Sequence, residues 1–257
     1  MKRCRKSRAE PARLAAYRET NPEGTCEQFR DEAASAHEEV VATLERDQGG
    51  LCAYCEMDLV PGIDQGVEHF HPKSDGSDGR NWHLDWDNLL LCCRGGQGWT
   101  GAQAVAEGRA REPRIENLSC DARKGSQVLD DRLLNPLEVP AFPRLFKFLG
   151  DGRIQVDQAE CEEAGIEPAE AEDTIDLLGL NCPRLRDARA EVLHHIERTI
   201  NVARRKAGAR PGATFRYLLE RYLTQDQNGR WSRFFTLIRW RLRDSAETHL
   251  REIGFDG

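Results

Sequence analysis

The sequence predicts an α+β protein: a small cysteine-braced core at residues 47–135, wrapped by helices from both ends. Three observations predict it. Five of the nine cysteines (Cys52, Cys55, Cys92, Cys93 and Cys120) crowd one segment that is broken by Gly and Pro. Apolar residues recur at helical spacing at 26–46 and again from Leu185 to about Ala207. Between them, Leu145, Phe146 and Phe148 lead into Gly150-Asp151-Gly152-Arg153 and then Ile154 and Val156, which reads as a hairpin.

The division that follows is an N-terminal arm and helix at 1–46 and a core at 47–135 with an insertion at 94–119. A hairpin plus a helical C-terminal region fills 136–257. Residues 1–25 are basic and then polar, with Pro11 and Pro22, and read as an arm with a helical turn or two. Phe29, Ala33, Ala36, Val40, Val41 and Leu44 mark a helix that Gly49-Gly50 ends. Residues 52–74 are expected to hold a cysteine knuckle and a β-hairpin, with Val67–His71 as a strand. A short helix starting near Asp87 is expected to carry Asn88, Leu89 and Leu90, with Asp87 as its cap. Further helices are expected at 168–180, 215–223 and 231–250.

Composition sets limits. Of the 257 residues, 39% are hydrophobic and 32% charged, which suits a polar globular chain rather than a membrane protein. The basic start has no apolar run behind it, so it does not read as a secretory signal. Clustered cysteines without a secretory signal favour reduced, metal-bound thiols in a cytoplasm over a disulfide framework. The formal net charge of -7 argues against a uniformly basic coat, but charge is segregated along the chain. Asp157–Asp176 holds nine acidic residues and no Lys or Arg, whereas Arg184–Arg243 carries fifteen Lys plus Arg against five Asp plus Glu. The basic stretch offers a face for phosphates or a set of solvated helix faces.

Cys52-Ala53-Tyr54-Cys55 is a Cys-x2-Cys pair, whose spacing lets one turn aim two thiolates at a tetrahedral ion. Cys93 and Cys120 are the candidates to complete a structural zinc site. Cys92 is the adjacent rival, since neighbouring residues cannot both reach one ion. Glu68-His69 is the chemical centre of the segment. A carboxylate suits a hard cation such as magnesium, and an imidazole can take a proton from water. His71 reads as a packing or hydrogen-bonding residue, or as a further metal or phosphate contact. Lys73 and Lys124 are candidate phosphate contacts, an exposed lysine being the competing reading of Lys124.

Cys-x2-Cys, Glu-His-x-x-Pro, Asn-x4-Cys and Cys-Asp-x-x-Lys-Gly, in that order, resemble the HNH endonuclease motif. The resemblance implies a zinc-braced ββα-metal (HNH) core. It implies His69 as general base, Glu68 as metal ligand, and Asn88 as the residue that orients the histidine and braces its loop. It also implies Asp121 as second metal ligand and Cys52, Cys55, Cys93 and Cys120 as zinc ligands. Two departures stand out: 26 residues separate Cys93 from Cys120, and Asp121 replaces the usual His or Asn.

The likeness extends further. Asp47-Gln48-Gly49-Gly50-Leu51-Cys52, Val67-Glu68-His69-Phe70, Leu134-Asn135-Pro136-Leu137 and Leu178-Gly179-Leu180-Asn181 resemble the PtuB-like HNH subunit of Septu-type and retron-associated anti-phage systems. That resemblance implies a structural Zn2+, a catalytic Mg2+ or Mn2+, nucleic acid (DNA ahead of RNA) as substrate, and an ATPase partner. A zinc-braced nucleic-acid-binding or ATPase-docking subunit without catalysis is the alternative.

Overall fold

The computed structural model describes residues 1–97, 114–205 and 211–257. Most of the 94–119 insertion therefore lies outside the described residues. The described chain is α+β, with two small antiparallel sheets among helices.

The N-terminal residues do not form a free arm. Met1, Lys2 and Cys4 are buried, and the Cys4 amide donates to the Pro136 carbonyl at 2.8 Å. The basic composition misleads here because Lys6 lies over the Trp86 ring and donates to the Leu89 carbonyl instead of facing solvent. Helix α1 follows at Ala12–Thr20.

The single helix expected at 26–46 is two, α2 (Cys26–Glu32) and α3 (Ala34–Gln48). Thr25 and Gln28 form a capping box at the start of α2, and Ala33 breaks the run at φ -129°, ψ 49°. On α3, Ala36, Val40, Leu44 and Gln48 are buried at a spacing of four. Gln48 binds both the amide and the carbonyl of Leu91, at 2.8 and 2.7 Å, as a neighbouring strand would. Gly49 then turns the chain at φ 64°, and a Cβ there would meet the Trp231 ring at 2.3 Å.

Strand β1 (Gly66–His69) pairs antiparallel with β2 (Leu89–Cys92), placing Glu68 opposite Leu90 and His69 opposite Leu89. Two expectations are corrected at this point. No hairpin forms within 52–74, because the partner of β1 is β2. Asn88 closes a 3-10 turn (Trp86–Asn88) capped by Asp85 rather than Asp87, and Leu89–Cys92 is a strand rather than helix. Four consecutive buried apolar residues carry no periodicity that separates the two. Helix α4 (Asp121–Lys124) is one turn long.

Strands β3 (Phe146–Phe148) and β4 (Ile154–Val156) form the hairpin read from the sequence. Helices α5 (Gln158–Glu163), α6 (Pro168–Leu177), α7 (Pro183–Arg205) and α8 (Pro211–Tyr222) follow. The last expected helix is split at Arg243, φ 52°, into α9 (Phe235–Leu242) and α10 (Asp244–Glu252).

One buried apolar cluster joins Leu14 and Phe29 to Tyr54, Leu90, Phe146 and Leu178. A second joins Ile196, Leu218, Trp231, Phe235 and Leu250, with Leu51 reaching into it from the knuckle. The two are tied by main-chain bonds: Trp231 donates to the Gly49 carbonyl at 2.9 Å and Phe234 to Glu56 at 2.8 Å. Several arginines of the basic stretch are spent on this packing. Arg239 pairs with Glu247 and Arg230 with Glu45, while Arg189 binds the Gly152 and Leu180 carbonyls.

Candidate active site and four-cysteine centre

Cys52, Cys55, Cys93 and Cys120 are all buried, with their sulfurs within 4.8 Å of one another. Three of the separations are 3.9 Å (Cys52–Cys120), 3.8 Å (Cys93–Cys120) and 3.6 Å (Cys55–Cys93). A tetrahedral ion with metal–sulfur bonds of about 2.3 Å sets its sulfurs about 3.8 Å apart, so the four residues fit a zinc ion. Cys92 is outside the set; it ends β2, and burial pushes its thiol well above the ordinary range.

The knuckle is shaped by Glu56 at φ 61°, whose amide returns to the Cys52 carbonyl at 3.1 Å. The long separation of Cys93 from Cys120 is closed next to the sulfurs. The Ser119 amide donates to the Gly95 carbonyl at 2.9 Å. Gly95 is at φ 59°, and a Cβ on it would lie 2.0 Å from the Ser119 carbonyl oxygen, so only glycine lets the two segments touch. The insertion therefore leaves and re-enters at one point, and the four-cysteine geometry does not depend on its length.

Glu68 and His69 end β1 and are buried, 5% and 7% exposed. Glu68 Oε1 accepts from the Tyr54 hydroxyl at 3.3 Å and from Lys124 Nζ at 2.8 Å. Its side chain is also within hydrogen-bonding reach of Asp121, the first residue of α4. Burial, reinforced by the Asp121 carboxylate and opposed by Lys124, raises the Glu68 carboxyl to about 8. Two carboxylates held together at such a cost are a ready site for a divalent cation, which would relieve both effects.

The His69 ring places Nε2 at 3.0 Å from the His83 carbonyl oxygen. A carbonyl only accepts, so Nε2 carries the proton and Nδ1 carries the lone pair. Burial lowers the His69 pKa to about 4, so the ring is neutral near neutral pH and its Nδ1 lone pair is free of a proton.

Asn88 is buried at the end of the 3-10 turn and holds the loop after β1. Its Oδ1 accepts from the His71 amide at 2.7 Å, and its Nδ2 donates to the carbonyls of His71 and Trp82 at 2.9 and 3.2 Å. It thereby fixes the segment leading to the His83 carbonyl that orients His69. The His71 ring packs tilted against Trp82 with ring centroids 4.1 Å apart, and its two ring nitrogens face Asp130 at 2.5 Å and Asp75 at 3.2 Å.

The two lysines read as phosphate contacts both have partners within the chain. Lys124 is 2% exposed, and besides Glu68 it binds the His69 carbonyl at 2.8 Å. Lys73 Nζ pairs with Glu27 and lies 2.9 Å from Cys26 Sγ. Sequence reasoning missed Tyr54 and His83 as parts of the site. Tyr54 sits inside the Cys-x2-Cys pair, but nothing in the spacing marks its hydroxyl as a partner of Glu68, and His83 acts through its main chain.

The chain is 35% identical over 217 residues, covering 76% of its own length and 80% of the relative's, to the "Retron Ec83 putative HNH endonuclease" of Escherichia coli. No protein-family model matches the chain.

Proposed function

The chain belongs to the HNH endonuclease family of that retron protein, and from this premise we propose that it is a metal-dependent endonuclease that hydrolyses phosphodiester bonds. The observation that carries the reading is the neutral His69, held by its Nε2–H on the His83 carbonyl and next in sequence to Glu68, whose carboxyl lies within hydrogen-bonding reach of Asp121. The order β1, β2, α4 supports a ββα-metal core. Glu68 and Asp121 would hold Mg2+ or Mn2+, which would supply Lewis-acid stabilisation of the phosphate. His69 takes a proton from water at Nδ1, and Asn88 keeps the histidine loop in place. Cys52, Cys55, Cys93 and Cys120 hold a structural Zn2+, and Arg184, partly buried nearby, offsets thiolate charge.

The substrate is nucleic acid, DNA ahead of RNA. The retron relative supports a role in anti-phage defence, and among the described residues no helix is long and apolar enough to cross a membrane. The ATPase partner rests on the PtuB-like resemblance alone. Incubation with supercoiled plasmid tests the proposal: nicking that starts on adding Mg2+ and stops with a chelator supports it. A purified protein with full zinc that cuts neither plasmid nor RNA would oppose it.

A further inference from the structure

Helix α4 brings three kinds of group to one place. Cys120, its N-cap, belongs to the four-sulfur centre, Asp121 belongs to the carboxylate pair, and Lys124 closes the turn. Lys124 is the group that the proposed chemistry leaves unused. Its ammonium is 2% exposed and reaches back to β1, 2.8 Å from Glu68 Oε1 and 2.8 Å from the His69 carbonyl oxygen. A buried ammonium is tolerated only when paired and hydrogen-bonded, and this one is tied to both members of the Glu-His dipeptide.

We propose that Lys124 is a positioning residue for the nuclease reaction, fixing the Glu68 carboxylate and the His69 main chain relative to each other; the inference rests on the nuclease reading above. With Tyr54 and Lys124 both on Oε1, the carboxylate cannot rotate freely, and Oε2 is the oxygen left for a cation. The bond to the His69 carbonyl holds the peptide that carries the imidazole. Because Cys120 is the N-cap of α4, the four-cysteine centre fixes Lys124 in turn, which links the structural ion to the chemistry.

The arrangement has an electrostatic cost. A cation beside Glu68 competes with a divalent ion for the same carboxylate. Lys124 therefore improves geometry while weakening metal binding, and substitution separates the two.

The experiment measures plasmid cleavage against Mg2+ concentration for wild type, Lys124→Met and Lys124→Gln, with the zinc content of each protein. Lys124→Met is expected to lose about tenfold or more in turnover at saturating Mg2+, the scale of residues that orient metal ligands. Its half-saturating Mg2+ is expected to fall, and its zinc content to stay at the wild-type level. Lys124→Gln, which keeps an N–H donor, is expected to recover part of the turnover. Wild-type turnover in both variants would overturn the inference and leave the nuclease reading intact. Loss of zinc from both variants would make the lysine structural only and would also overturn it. A wild-type protein that cuts nothing would remove the nuclease reading and this inference together.

Discussion

The His69 ring donates through Nε2 to the His83 carbonyl oxygen at 3.0 Å. That bond decides which nitrogen of the histidine can act as a base, and a main-chain atom supplies it. No side-chain change at His83 removes it directly. Asn88 holds the main chain on either side of it, binding the Trp82 carbonyl and both main-chain groups of His71.

Asn88→Ala is therefore expected to slow cleavage by about 10- to 100-fold, as when other residues supporting a metal site are removed. It also leaves the His71 amide without a partner in a buried place, at a cost of about 1–3 kcal/mol. Single-turnover cleavage and thermal melting on the same preparations check both. Asn88→Asp keeps the acceptor but loses the donor, and should fall between Asn88→Ala and wild type.

The two adjacent cysteines should separate in metal content. Cys93→Ser removes a sulfur from the centre and is expected to lower bound zinc well below one ion per chain. Cys92→Ser should keep the full ion, since its thiol lies outside the set. Elemental analysis of the purified proteins distinguishes them. The reverse result would move the fourth ligand to Cys92.

Metal affinity should depend on pH with a definite sign. Glu68 without a cation titrates at about 8, so below that value a divalent ion must displace a proton. Apparent Mg2+ affinity is expected to rise about tenfold per pH unit up to about 8 and then level off. His69 titrates at about 4, so it does not contribute an acid limb near neutrality. Raising Mg2+ should shift the acid limb of cleavage to lower pH. An acid limb fixed near 6.5 at every Mg2+ concentration would contradict this assignment.

The joint between the knuckle and the C-terminal helices can be broken at one atom. Gly49→Ala places a methyl 2.3 Å from the Trp231 ring at a position with φ 64°. Strain of that kind costs about 1–3 kcal/mol before any repacking of Trp231. A lowered melting temperature is expected. An unchanged one would mean that Trp231 moves aside freely.

The four-cysteine set is legible because a tetrahedral ion needs cysteines at that spacing, and the four sulfurs lie within 4.8 Å of one another. Asn88 is legible as a brace: it binds the main chain of His71, just after Glu68 and His69. The departures have physical causes. Lys124 reads as a phosphate contact or an exposed lysine, because nothing in Cys-Asp-x-x-Lys-Gly shows that the turn of α4 faces β1. Residues 1–6 read as a basic arm because composition does not show that Lys6 ends on a main-chain carbonyl above Trp86. The run Leu89–Cys92 reads equally as helix or strand until its partner across the sheet is known. In the C-terminal region, helical periodicity was enough to find α7, but not the break at Arg243, which follows from a left-handed backbone at a non-glycine residue.

The most direct measurement is Mg2+-dependent cleavage of supercoiled plasmid by wild type and His69→Ala, each with its zinc and Mn2+ occupancy determined. Wild type is expected to nick the plasmid and His69→Ala to be at least about 100-fold slower, the scale of a lost general base. Both ions should still be bound. Equal cleavage by the two proteins would contradict the role of His69 as the base of the reaction.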